Sequence, residues 1–488
     1  MTSELATAGP ASRETPATSG HDDDTTAAVV LPPVRRTVAV VAVLMAMLMV
    51  NIDSSIVNVA LPQLSRDLHA TPADTVWVTT AFLLAVASSL PAAAGLATRL
   101  GRKRMFTIGV PLFTLASLAC ALSPTLEVLI AARVAQGLTA SLLFAVAIPI
   151  YRHLFPPRRL GMVLGLNAMV VALGISVGPT LGGLILGGLS WPWLFLINVP
   201  LGVISTVLAL ITLPHRPTPH APLDIGGMLV GGAATASFLL GVHQFEDPSR
   251  VWLGAVIIAA SAVLVALFIR IERRSSAPVL PIQMFTGRFN LAVITAFWSF
   301  FGQGVAFVAL PFLFQTAYHA TPLQSALLFT PWPIVIVIVA PISGRLADRW
   351  SSARLAVIGL AVYTGGLASL ALLGGHPPVW QVLTSTAVTG LGFAIFQAPN
   401  NRDMMGAAPL SFAGPAALTL NTGRTLAQSA GAGAVSMALA LSGASALSAA
   451  AEASAANAVL YVAVAGAGAA VVVSIVKLRT MTAARRSS

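Results

Sequence analysis

The sequence predicts an all-α protein that crosses a membrane about fourteen times, and three observations predict it. The chain is 56% hydrophobic and only 9% charged, with a mean hydropathy of +0.86; a soluble domain carries about 25% charged residues. Its apolar stretches run for roughly 20 residues, the length a helix needs to cross about 30 Å of hydrocarbon, and too long for the tilted strands of a membrane barrel. Lys and Arg gather at the ends of these stretches, on one side only.

Read in order, residues 1–34 are rich in Ala, Thr, Ser and Pro with an acidic cluster, Asp22–Asp24, and predict a disordered tail rather than a cleaved signal. The predicted spans are approximately 37–61, 76–97, 105–122, 126–150, 160–189, 193–213, 225–243, 251–271, 290–315, 322–344, 354–374, 379–399, 412–440 and 457–477. Connections carrying Arg35, Arg36, Arg99, Arg102, Lys103, Arg104, Arg273, Arg274, Arg345 and Arg349 fall on one side; the other side's loops hold only Arg66 and Arg250. By the positive-inside rule the basic side is cytoplasmic, which places both termini inside. The net charge of +11 therefore reports topology and not nucleic-acid binding.

The chain also repeats itself. "AGLATRLGRKR" (94–104) follows the second span and "GRLADRWSSAR" (344–354) follows the tenth, about 250 residues later. Six spans do not fill that distance. The predicted organisation is a tail (1–34), a six-helix half (35–213), two additional central helices (214–274), a second six-helix half (275–480) and a short tail (481–488). A pseudo-two-fold axis along the membrane normal would relate the halves.

In "GISVGPTLGG" (174–183), Gly174, Gly178 and Gly182 recur every fourth residue and line one helix face, and bare faces let two helix backbones approach closely. Pro179 removes a backbone donor and can bend the helix. The glycines alone fit either tight packing or a hinge.

These strings together resemble the fourteen-helix drug:proton antiporter branch of the major facilitator superfamily. "IDSSIVNVALP" (52–62), "AGLATRLGRKR", "LIAARVAQG" (129–137), "GISVGPTLGG" and "WLFLINVPLG" (193–202) are similar to that branch's motifs, in its order and on its spans. The resemblance covers roughly 35–480. It implies a major facilitator fold with two extra central helices, export by alternating access, and an antiporter role for Gly174, Gly178, Pro179, Gly182 and Gly183. It also implies a cytoplasmic gate at Ala94, Thr98, Arg99, Gly101 and Arg102, repeated at Gly344, Asp348 and Arg349. The family's loop motif has an aspartate where this chain has Thr98, which removes the charge from its first latch.

Among the acidic residues, Glu127, Asp224 and Glu272 fall at span ends and Asp403 at a loop edge, so Asp53 is the one acid expected at depth. An ionisable group inside the membrane is costly and is by default a functional candidate. Arg133 is its expected partner at a similar depth, and the pair reads either as a structural ion pair or as a proton site. Asn58, Gln136, Trp298, Gln303, Trp332, Asn421, Arg424 and Gln428 are candidate cavity groups, each with an alternative as a packing or helix–helix bonding residue.

There is no phosphate-cradling glycine loop, nucleophile elbow or metal-ligand spacing, so no cofactor is expected and the chain is not expected to be an enzyme. The single cysteine, Cys120, excludes an internal disulfide. The expectation is a monomeric transporter in a bacterial inner membrane. It exchanges protons for hydrophobic or amphipathic compounds, with the charge preference of its cavity left open. A dedicated metabolite exporter of the same fold and a non-transporting membrane sensor are the alternatives.

Overall fold

The computed structural model describes residues 31–155, 157–214, 224–246, 248–275, 278, 280–373, 377–408, 412–442 and 449–486. Most of the expected N-terminal tail lies outside these residues, and helix begins at Pro33; at the other end, helix continues through Arg486. Among the described residues there is no strand.

Fourteen long helices follow one another among the described residues. They are α1 (Pro33–Asp67, stepping through a 3-10 turn at Val57–Ala60), α2 (Pro72–Leu100), α3 (Arg102–Ala121), α4 (Leu126–Leu154) and α5 (Pro157–Gly188). Then come α6 (Trp193–Thr212), α7 (Ile225–His243), α8 (Val251–Glu272) and α9 (Gly287–Ala317). The last are α10 (Pro322–Phe329 and Pro331–Arg349), α11 (Ser352–Ala371), α12 (Val379–Ala407), α13 (Ala413–Leu441) and α14 (Ala449–Arg486). Thirteen are long and apolar enough to cross a membrane, one fewer than the fourteen expected. The difference is α13, which has the length but carries Asn421, Thr422, Arg424, Gln428 and Ser429.

Local chemistry sets the helix ends. Thr71 caps α2 by accepting from the Asp74 amide at 3.1 Å, with Pro72 in the first turn where its missing N–H costs nothing. Thr321 and Gln324 form a reciprocal capping box on α10. Gly101, at φ 86°, makes the sharp step from α2 to α3 that a side chain would strain. At the other end of α6, Lys103 donates to the Leu213 carbonyl at 2.6 Å and Arg35 to that of Thr212 at 3.2 Å, so two basic residues cap a helix C-terminus.

The packing pairs repeat. In the first group α1 packs on α5 and α6, α2 on α4, and α3 on α4 and α6; eight helices later α9 packs on α13 and α14, α10 on α12, and α11 on α12 and α14. The two groups meet through a reciprocal set, α2 on α13 and α5 on α10. Helix α7 sits beside α2, held by a Trp77 indole donating to His243 at 2.8 Å, and α8 packs on α7.

The groups are joined at the end distal to the chain termini. Gln315 donates to the Val59 carbonyl at 2.8 Å, Ser436 to that of Ala73 at 2.9 Å, and the Thr180 and Thr330 hydroxyls share a bond of 2.6 Å. All three cross between groups at the end distal to the chain termini. A single apolar cluster joins the groups there, from Ile52, Leu61 and Phe195 to Phe307, Phe312 and Phe314. Towards the termini, apolar clusters stay within one group: Val43, Phe106 and Tyr151 belong to one, Met284, Phe289 and Met404 to another. A Cβ added at Gly344, Gly406 or Gly423 would meet nothing within 4 Å.

Candidate functional site

Asp53 is completely buried where α1, α3, α4 and α6 converge. Arg133 of α4 donates through a terminal nitrogen to Asp53 Oδ2 at 2.5 Å. Asp53 Oδ1 accepts from Gln136 Nε2 at 2.8 Å and from Asn198 Nδ2 at 2.7 Å. Ser117 of α3 accepts from the same two amides, at 2.8 Å and 3.3 Å. Arg133 Nε donates to the Val78 carbonyl at 2.9 Å, and Arg133 also donates to Gln136 Oε1. The Cys120 thiol, free and buried, stands 3.6 Å from that same oxygen. A buried charge persists only when paired and hydrogen-bonded, and here both carboxylate oxygens are served.

One part of the guanidinium has no such bond: Arg133 Nη2 lacks a hydrogen-bond partner. The Arg133 Cζ lies instead 4.2 Å from the centre of the Phe82 ring and 5.8 Å from that of Phe195. An aromatic face attracts a cation. Phe82 is thus the contact between the ion pair and what lies beyond it.

Beyond it is a central cavity between α1, α2, α4 and α5 of one group and α9 and α13 of the other. Asn51, Ser54, Asn58, Thr79, Phe82 and Phe144 line it from the first group, and Phe307, Arg424, Thr425 and Gln428 from the second. Asp53 does not line it.

Several expected cavity residues lie elsewhere. Gln136 is fully buried in the ion-pair node. Gln303 is buried and accepts from Gln428 Nε2 at 2.9 Å, so it orients a cavity residue without lining the cavity itself. Trp332 is fully buried behind Phe307, their ring centres 5.4 Å apart. Trp298 packs edge-on against Phe297 and Phe301, and Asn421 is half-buried one turn from the cavity wall. Large aromatic side chains in a crowded bundle bury their area, and packing claimed both tryptophans.

The glycine face of α5 lies on α1. A Cβ at Gly174 would stand 2.8 Å from that of Asn51, one at Gly178 would collide with the Ser55 hydroxyl, and one at Gly182 would stand 2.9 Å from the Ile56 carbonyl. Gly183 instead faces α10, where a Cβ would collide with Ala326. Pro179 sits between these contacts, inside the helix. The motif therefore touches both the helix that carries Asp53 and the opposite group.

At the expected gate, Thr98 is exposed and donates to the Gly95 carbonyl of its own helix at 2.7 Å. Ala94 is half-buried; Arg99, Arg102 and Arg349 are exposed at helix ends. Gly344 and Asp348 lie in α10.

Asp53 is not the only buried carboxylate among the described residues. Asp403, read as a loop-edge residue, is 4% exposed near the end of α12. Arg288 donates to its Oδ1 at 3.2 Å, and Lys477 Nζ, itself fully buried, stands 3.2 Å from its Oδ2 and donates to Asn400 at 3.2 Å. Asn198 and Ser117 were missed as well. Asn198 sits inside the quoted "WLFLINVPLG", and a lone amide in so apolar a run was the available signal. Among the described residues no cluster of His, Cys, Asp and Glu could hold a metal ion.

Comparison with known proteins agrees with this architecture. The model of the Major Facilitator Superfamily matches residues 43–432. The uncharacterized transporter YebQ of Escherichia coli strain K12 is 35% identical over 396 residues, covering 80% of this chain and 87% of that one. The tetracenomycin C resistance and export protein of Streptomyces glaucescens is 32% identical, covering 77% and 70%. The riboflavin transporter RibZ of Clostridioides difficile strain 630 is 28% identical, covering 81% and 86%. Among solved structures, an inward-facing bacterial homologue of the lysosomal transporter Spinster superposes with a TM-score of 0.65 at 15% identity, covering 92% of this chain and 98% of that one.

Proposed function

The chain belongs to the Major Facilitator Superfamily; it is a multi-pass membrane transporter and not an enzyme, and from that premise we propose that it is a proton-coupled exporter of hydrophobic or amphipathic compounds. The observation that carries the reading is the sealed Asp53–Arg133 pair, whose guanidinium lies 4.2 Å from a ring that lines the central cavity.

The coupling follows from charge count. With Asp53 ionised, the pair is neutral and fully bonded. A proton on Asp53 leaves Arg133 without its counter-charge, and the nearest compensation is the Phe82 face. Arg133 then presses on the wall of the cavity, so proton and substrate communicate through Phe82 without sharing a carboxylate. The glycine face of α5 lets α1 shift as the pair changes, because α5 contributes no side chain to that contact. Two six-helix halves, 35–213 and 275–480, would rock about the cavity with 214–274 as a flanking pair. With the basic loops and both termini cytoplasmic in a bacterial inner membrane, the joined end faces outward and this conformation is inward-facing. Relatives named for export or resistance support an exporter; the relative named as a riboflavin transporter keeps a metabolite within the substrate range.

Proteoliposomes with an imposed pH gradient test it. A panel of cationic, neutral and anionic dyes should include at least one moved uphill, and a protonophore should stop that movement. Uphill movement unaffected by the protonophore, or no flux under any gradient, contradicts the reading.

A further inference from the structure

We propose that the central cavity binds organic anions: amphipathic molecules with one carboxylate or comparable anionic group, which Arg424 holds, on an aromatic or aliphatic body. This rests on the transporter reading above and names the substrate class of the same cavity.

The argument begins with the charge the cavity presents. Arg424 lines it from α13 and, among the described residues, has neither a hydrogen bond nor an ion pair. Its neighbours on the same helix are engaged: Thr425 donates to the Asn421 carbonyl at 2.9 Å and Gln428 to Gln303 at 2.9 Å. No Asp or Glu lines the cavity. Asp53, the carboxylate closest to it, has both oxygens taken by Arg133, Gln136 and Asn198 and is fully buried behind Phe82. The cavity therefore carries one uncompensated positive charge between hydrophobic walls, where a guanidinium gains most from an incoming anion and repels a cation.

The remaining polar groups are mixed: the amides of Asn51 and Gln428 are spent on Met47 and Gln303, which leaves their oxygens as acceptors, whereas Asn58 adds a donor. Asn58 has its oxygen occupied by the Thr79 hydroxyl at 2.9 Å, which leaves its amide N–H groups as donors on the wall. The hydroxyls of Ser54 and Ser55 are committed to helix carbonyls. A ligand thus meets donors at Arg424 and Asn58, while Phe82, Phe144 and Phe307 offer apolar faces for its body. The guanidinium fork matches a carboxylate two-to-two, a fit a phenol or amine does not reproduce.

The test uses the full chain in nanodiscs and three naphthalene probes alike in size: 2-naphthoate, 2-naphthamide and 2-naphthylmethylammonium. Equilibrium dialysis should give naphthoate a Kd about tenfold or more below that of the ammonium, the scale of one charge-assisted hydrogen-bonded contact. Arg424→Gln should abolish that preference with an unchanged melting temperature, and Arg424→Lys should keep its sign. Equal or tighter binding of the ammonium overturns the proposal, as does an Arg424→Gln protein that folds and keeps the naphthoate affinity, or failure of all three probes to bind. The two readings fail separately. Gradient-driven movement of the ammonium with no naphthoate binding keeps the exporter and removes the anion site. Naphthoate binding that Arg424→Gln abolishes, with no gradient-driven flux, keeps the anion site and removes proton coupling.

Discussion

Two buried carboxylates, Asp53 and Asp403, use the same ingredients to different ends. Asp53 faces one cation and two amides, with Arg133 and itself both fully buried. Asp403 faces two cations and lies at the end of the bundle near the termini, where the Arg288 side chain is 46% exposed. The difference is stoichiometry. Protonating Asp53 turns a neutral pair into a lone buried cation beside Phe82. Asp403, held between Lys477 and Arg288, ties α9, α12 and α14 together. On the proposed reading Asp53 is a switch, because one proton changes the charge balance of its surroundings, and Asp403 is a clamp between three helices.

The sharpest way to break this contrast is to remove the single cation of the first site. Arg133→Ala leaves Asp53 buried without its partner, which costs about 3–5 kcal/mol. It should lower the melting temperature in detergent and abolish uphill flux; unchanged flux would show that the pair is not the coupling element. Next is Gly178→Leu, which forces α5 off Ser55 of α1; overpacking of this kind costs about 1–3 kcal/mol. Transport should stop while membrane insertion continues, and full activity at normal protein levels would reduce the motif to packing. Lys477→Met removes one of two cations from Asp403 and should cost about 1–3 kcal/mol. Its melting temperature should fall while pH-gradient coupling of the folded protein stays intact; lost coupling would make the second site a switch too. The smallest effect belongs to Ser117→Ala, which removes one neutral acceptor worth about 0.5–1.5 kcal/mol and should alter the pH profile of transport without stopping it.

Much of this was legible in the sequence. Asp53 stood out because an acid within so apolar a run has no cheap explanation, and the four-residue spacing of Gly174, Gly178 and Gly182 marked a close helix–helix contact, whose partner, α1, only the structure identifies. Hydropathy, however, marks the thickness of hydrocarbon and not the length of a helix. Helix α12 runs to Ala407, beyond the predicted end at 399, and so carries Asp403 into a packed position; Lys477, at the predicted end of the last span, lies well inside α14, which continues to Arg486. The polar residues Gln136, Asn198 and Ser117 could not be assigned from their own helices, because a side chain 0% exposed among three other helices takes its role from them. Trp298 and Trp332 looked suited to a cavity by chemistry but were claimed by aromatic packing.

The central claim is that proton coupling resides at Asp53, and Asp53→Asn in proteoliposomes tests it most directly. Asparagine keeps the shape and the bonds that an amide oxygen can accept, and it cannot exchange a proton. Uphill accumulation of a transported dye under an imposed pH gradient should disappear, while downhill counterflow of the same dye persists. An Asp53→Asn protein that still accumulates the dye against its gradient, with the pH dependence of the parent, would place the coupling at another residue.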